Sequence, residues 1–220
     1  MMSKAIPFLL ATLALLAVAV SSAQAQDAAA GEKKAAMCIG CHGIVGYQAS
    51  FPEVHKVPMI SGQGAKYIVA ALTAYKKGER KHPTMRGIAG SLADADMADL
   101  AAYYEKQNAG IVKPVADTPT VAPSPEVAAL LARGACSTCH GANFSKPIDP
   151  SYPKIAGQHG DYLAVSLNAY TVLGNPQVGR SNAIMAGQVK QFKREELKAL
   201  AKYIGSLPGE LSTVPQARFR

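Results

Sequence analysis

"MCIGCHG", residues 37–43, sets Cys38, Cys41 and His42 in a C-x-x-C-H pattern, and "ACSTCHG", residues 135–141, repeats it with Cys136, Cys139 and His140. These are the only 4 cysteines of the chain, so every thiol belongs to one of the two patterns. Their surroundings repeat as well. Residues 80–104 align without a gap on residues 180–204, which sets Arg80 on Arg180, Met85 on Met185, Leu100 on Leu200 and Tyr103 on Tyr203. A second block, "PMISGQGAKYIVAALTAY" from Pro58, aligns on "PKIAGQHGDYLAVSLNAY" from Pro153. The small offsets between blocks are changes in loop length, which loops tolerate and helices do not. Such self-similarity means two copies of one structural unit.

The boundary falls at "KPVADTPTVAPSP", residues 113–125, a proline-rich stretch expected to be an extended, semi-rigid spacer. It divides an N-terminal unit, 26–112, from a C-terminal unit, 126–220. Both units read as all-α. Ser124 and Pro125 start a helix as N-cap and first helical residue and lead into Cys136; "AAAGEKKAAM" does the same before Cys38. Tyr67–Lys77 and Tyr162–Leu173 carry apolar residues at helical spacing, each followed by a glycine, Gly78 or Gly174. The last helices are expected over Asp94–Gln107 and Arg194–Ser206. No stretch shows the alternation of a strand. With no Trp and few aromatics, units of this size have a thin core from side chains alone.

A haem offers two vinyl groups and an iron that needs axial ligands, and C-x-x-C-H meets both needs at once. The thiols of Cys38 and Cys41, and of Cys136 and Cys139, are placed to form thioethers, while His42 and His140 follow directly as proximal ligands. Other readings of the cysteines fit less well. A zinc site built from both pairs leaves the histidines without a role and needs the units to share one ion. A thioredoxin-like pair expects a βαβ context. Two disulfides, the default for an exported chain, do not account for the shared histidine.

The sixth ligand decides what such an iron can do, since a methionine opposite the histidine raises the potential and suits electron transfer. Met185 is the only methionine after His140, and its partner in the repeat is Met85. Met59 and Met97 align on Lys154 and Leu197 and read as core filling. His55, His82 and His159 have no histidine counterpart and read as ordinary surface or loop residues. Arg80 and Arg180 lie five residues before the paired methionines, where they are either propionate ligands or solvated loop arginines. Gln63 and Gln158, with Tyr67 and Tyr162, are placed to bind propionates or to cap helices. Pro58 and Pro153 are candidates to offer a carbonyl to the other ring nitrogen of the proximal histidine.

The chain opens with Lys4, an apolar run from Ala5 to Val20 and a small-x-small site at Ala23–Ala25, the pattern of a cleaved secretory signal over residues 1–25. The formal net charge is +8, with Lys190, Lys193, Arg194, Lys198 and Lys202 crowding the last helix. That surface suits an acidic protein partner or an anionic membrane, or is simply a solvated face. Export leaves no place for nucleic acid as a partner.

Together the paired C-x-x-C-H motifs, the "P-x-I-[SA]-G-Q…Y" blocks, the later methionines and the ending "LPGELSTVPQARFR" resemble the dihaem cytochrome c4 family, two class I cytochrome c domains in tandem. The likeness spans essentially the whole mature chain. It implies two covalently bound haem c groups, thioethers on Cys38, Cys41, Cys136 and Cys139, and axial ligands His42, Met85, His140 and Met185. It also implies a pseudo-twofold pair of domains, and a periplasmic one-electron carrier, often loosely membrane-associated, between the cytochrome bc complex and a haem-copper terminal oxidase. No small-molecule substrate and no enzymatic activity are expected. The alternative is the dihaem subunit of a flavocytochrome sulfide dehydrogenase or a similar periplasmic dehydrogenase. One departure is visible, a longer loop before Arg180 than before Arg80.

Overall fold

The computed structural model describes residues 26–216; the segment read as a secretory signal lies outside them. The N-terminal domain runs α1 (Ala28–Lys34), α2 (Ala36–His42), β1 (Gln48–Ala49), β2 (His55–Lys56), α3 (Ala65–Lys77), β3 (Arg80–Lys81), α4 (Pro83–Gly90) and α5 (Asp94–Lys106). The C-terminal domain follows with α6 (Pro125–Gly134), α7 (Cys136–His140), α8 (Gly160–Ala169), β4 (Gly179–Arg180), α9 (Ala183–Val189) and α10 (Arg194–Ser206). Among the described residues, no helix is long and apolar enough to cross a membrane.

Local chemistry sets these helix ends. Asp27 caps α1 by accepting from the N–H groups of Ala29 and Ala30, and Ser124 caps α6 by accepting from Val127. Asp96 and Glu196 reach back to the N–H groups of Ala93 and Lys193 at the starts of α5 and α10. Gly78 ends α3 in the left-handed conformation, φ 76°, as a C-terminal glycine should. Gly174 does not end α8. That helix stops at Ala169, and the Thr171 hydroxyl donates to the Asn168 carbonyl there, so the longer loop starts earlier than its glycine suggested.

The expectation of no strands needs amending. Among the described residues two antiparallel ladders are present, β1 with β2 and β3 with β4, each only two residues long. Strands this short show no alternation; they are loop segments brought side by side by the helices.

Each domain has its own apolar core. Ile39, Ile68, Leu92, Met97, Leu100 and Tyr104 form the first, which confirms Met97 as core filling, and Phe144, Leu163, Tyr203, Ile204 and Leu207 belong to the second. In the first domain α1 crosses α5 at Gly31, where the helices approach so closely that no side chain fits. The Asp27 N–H donates to Asp99 across that crossing, and Lys34 pairs with Asp96 at 2.8 Å and Asp99 at 2.6 Å.

The domains meet along a pseudo-twofold axis, because residues equivalent in the repeat face one another. Arg80 pairs with Arg180 in the β3–β4 ladder, and the Ser181 N–H donates to the Glu79 carbonyl at 2.9 Å. The connection between them is no free spacer. The Tyr203 hydroxyl donates to the Val121 carbonyl and the Asn143 amide to that of Ala116, so the segment lies along the C-terminal domain. Beyond α10 the chain returns to the N-terminal domain. Ser212 bridges to Ser61, the Asn108 amide donates to the Glu210 carbonyl, and the Tyr103 hydroxyl donates to Gln216.

Two candidate haem sites on one cavity

His42 and His140 are the last residues of α2 and α7, which also carry the two cysteine pairs. A helical C-x-x-C-H segment turns its thiols and its ring to one side of the chain. His42 Nδ1 lies 2.8 Å from the Pro58 carbonyl oxygen, and His140 Nδ1 lies 3.0 Å from that of Pro153, the contacts expected from the repeat. A carbonyl only accepts, so each Nδ1 carries the proton and each Nε2 keeps a lone pair for a metal. Burial lowers the pKa of both histidines, against the opposing pull of those hydrogen bonds, and keeps the rings neutral. All four cysteines are free, and burial raises the pKa of Cys38 and Cys136, holding them as thiols.

Met85 and Met185 stand at the third positions of α4 and α9. Each N–H donates to the side chain that caps its helix, Met85 to His82 Nδ1 and Met185 to Asn182 Oδ1 at 3.0 Å. His82 therefore has a counterpart after all: Asn182, in the same place, does the same work. His55 also departs from expectation. It is buried, donates from Nδ1 to the Glu53 carbonyl at 2.7 Å, and sits against the Tyr162 ring of the other domain.

A single cavity of about 640 Å³ is lined from both domains, by both C-x-x-C-H motifs, both histidines and both methionines. Between the two halves stand Arg80 and Arg180, half-buried rather than solvated. Arg80 donates to the hydroxyls of Tyr67 and Tyr162, each at 3.2 Å, and Arg180 donates to Tyr162 at 3.1 Å and Ser166 at 2.8 Å. The guanidiniums also lie over the rings of Tyr75 and Tyr170, at 4.5 and 5.4 Å from the centroids. Burial works against ionising Tyr162, but Arg180 and Arg80 beside its hydroxyl outweigh it and bring its pKa down to about 7. Sequence reasoning missed Ser166, Tyr75 and Tyr170, although the two tyrosines align in the repeat and could have been noticed.

Gln63 and Gln158 take up the helix-start role expected of them, and a further one. Each reaches into the other domain. The Gln63 amide donates to the Lys154 carbonyl and its oxygen accepts from the Lys154 N–H, both at 2.9 Å. Gln158 makes the same pair with Met59, at 2.9 and 3.0 Å. Each oxygen also accepts from the next residue's N–H at a helix start, Gly64 or His159.

These residues fit a pair of haems. The donor set is two thiols, a neutral imidazole and a thioether per domain, and Arg80 Nε is buried with no partner inside the protein, a donor suited to a carboxylate of the group itself.

The cytochrome c family model matches residues 28–107 and again 126–208. Cytochrome c4 of Azotobacter vinelandii is 32% identical over 94% of this chain and 100% of that one. The chain belongs to the cytochrome c4 family. Members are two cytochrome c domains in tandem, so this chain is a dihaem c-type electron carrier with covalently bound haem c. The solved structure of reduced recombinant cytochrome c4 from Pseudomonas stutzeri superposes with a TM-score of 0.61 at 30% identity, covering 83% of this chain and 100% of that one. A protein described as the thiosulfate dehydrogenase electron acceptor of Stutzerimonas stutzeri (strain A1501) is 29% identical over 80% of this chain and 82% of its own.

Proposed function

We propose that this cytochrome c4 family member works in the periplasm, exported by the signal at 1–25, as a carrier of electrons from the cytochrome bc complex to a terminal oxidase, with loose attachment to the membrane surface. Cys38 and Cys41 would hold one haem and Cys136 and Cys139 the other, with His42 and Met85, and His140 and Met185, as the residues that would ligate the two irons. Bound there, haem supplies a one-electron ferric–ferrous couple. The protein's part is to hold it. Pro58 and Pro153 orient the histidines, the helix caps His82 and Asn182 hold the methionine-bearing turns, and Arg80 and Arg180 neutralise propionates between the domains. Units 26–112 and 126–220, joined by 113–125, each form one such site.

The observation that carries this reading is the repeated hydrogen bond from the proximal histidine to a proline carbonyl, on a cavity that also holds the repeated methionine. It fixes the tautomer in both halves alike. With Met85 and Met185 in these places, bound haem would have no open position for a substrate and would supply one-electron exchange. The test is the optical spectrum of the reduced holoprotein with and without carbon monoxide. The wild type is expected to show no change and Met185→Ala to bind one equivalent; a wild type that binds the gas has an open iron and refutes the carrier reading.

The likeness to a thiosulfate dehydrogenase electron acceptor supports a second reading of the donor. In that case a periplasmic sulfur-compound dehydrogenase reduces the protein. Stopped-flow reduction by each candidate donor separates the two, and a stoichiometric flavoprotein partner on purification would favour the flavocytochrome subunit instead.

A further inference from the structure

The two glutamines do more than tie the domains together. The Pro58 carbonyl, which accepts from His42, and the Met59 N–H, which donates to Gln158, are the two ends of one peptide group. A hydrogen-bonded relay therefore runs from the His42 ring through that peptide to a side chain of the opposite domain. The same relay runs the other way, from His140 through the Pro153–Lys154 peptide to Gln63. Both glutamines are only 4% exposed, so water does not compete for these bonds. Each amide is also fixed in orientation by its other contacts, to the Lys154 or Met59 carbonyl and to the N–H of Gly64 or His159.

We propose that Gln158 and Gln63 are positioning residues that set, crosswise, the reduction potential of the haem in the other domain. An amide whose N–H donates is polarised and its carbonyl becomes a better acceptor. A better acceptor at Nδ1–H makes the imidazole a more basic ligand, which favours ferric iron. Gln158 thus holds down the potential of the haem at Cys38 and Cys41, and Gln63 that of the haem at Cys136 and Cys139. The inference rests on His42 and His140 being the proximal ligands.

The test uses the full-length holoprotein with Gln158→Met and Gln63→Met, side chains of similar length without the amide. Two quantities are read: the potential of each haem by spectroelectrochemical titration, and the Nδ1–H proton resonance of each axial histidine in the reduced state. Gln158→Met is expected to shift the His42 resonance and raise the potential of the first haem, changing its one-electron equilibrium about twofold to tenfold, where tenfold is 59 mV. The second haem stays where it was, and Gln63→Met gives the mirror result. Should Gln158→Met not fold, Gln158→Glu keeps a stronger acceptor on Met59 N–H and moves the first potential downward, more than the second. Ser181→Ala, which removes a different contact across the interface, to the Glu79 carbonyl, leaves both potentials unchanged. The proposal fails if the mutated domain's own haem shifts, if both shift alike, if neither shifts, or if Ser181→Ala reproduces the crossed effect. Wild-type spectra lacking the two axial histidine resonances would overturn the ligand assignment itself, a different failure.

Discussion

Replacing Gly31 with alanine tests how the N-terminal domain holds its C-x-x-C-H segment. A Cβ at this position would lie 2.0 Å from the Asp99 carbonyl oxygen, 2.6 Å from its carbon and 2.8 Å from Tyr103 Cβ, where ordinary contact starts at 3.4 Å. Two of those three atoms are backbone of α5 and cannot swing aside, so the helices must part by more than an ångström. Overpacking of this kind costs ~1–3 kcal/mol, and contact with rigid backbone puts it at the upper end. The better helix propensity of alanine returns about 1 kcal/mol. The net loss is about 2 kcal/mol, which for a domain of this size lowers Tm by roughly 8–16 °C. The assay is thermal unfolding of the ferric holoprotein, followed by helical circular dichroism and by the methionine–iron absorption band. Gly90→Ala, at an exposed position at the end of α4 with nothing within 4 Å, serves as the control and should be neutral or slightly stabilising. A Gly31→Ala protein as stable as the wild type would refute the close crossing of α1 on α5, and with it this account of what holds Cys38 and His42 in place.

Arg80→Leu removes a half-buried cation beside the cavity, so both potentials should fall. A unit charge about 10 Å away is worth ~1.5 kcal/mol at an effective dielectric of about 20, roughly 60 mV for one electron, and redox titration showing unchanged potentials would exclude the arginine from the haem environment. Lys34→Met should destabilise the first domain in a pH-dependent way. Hydrogen bonds from Lys34 lower the pKa of Asp96 and Asp99 below 3.8, so their contribution is complete above that value and is lost as pH falls through the lower, folded values. The gap in denaturant midpoint between Lys34→Met and wild type should be constant near neutrality and close in acid below pH 3.8; a gap that persists there would mean Lys34 acts through packing alone.

Much of the site was legible because covalent attachment forces its parts into a short local spelling. Cys38, Cys41 and His42 must be neighbours in sequence to be neighbours on a haem, and the second copy turned alignment into a test of every further candidate. That test singled out Met85, Met185, Pro58 and Pro153. What it obscured were roles filled by different residue types in the two halves. His82 lacked a matching histidine, yet it and Asn182 both cap the helix of the methionine. It also said nothing of contacts between the copies. Gln63 and Gln158 are each identical in the repeat, but their partners lie far away in sequence, and no local pattern announces a side chain that reaches across an interface. His55 was misjudged for the same reason, since the second domain's Tyr162 packs against its ring. The β3–β4 ladder escaped because Arg80 meets Arg180 only once both domains are folded and docked, and β1–β2 because two residues are too few to show alternation.

The route of the chain after α10 has a practical outcome. Its last described residues cross back to Ser61, Asn108 and Tyr103, so the C-terminal domain is moored to the first by its own end as well as by the linker. A protease that cut within residues 113–125 would therefore yield two polypeptides that still travel as one particle through a sizing column. A second cut beyond Leu207 would remove that mooring and leave the halves held by the docked surfaces alone, chiefly the Gln63 and Gln158 bonds and the β3–β4 ladder.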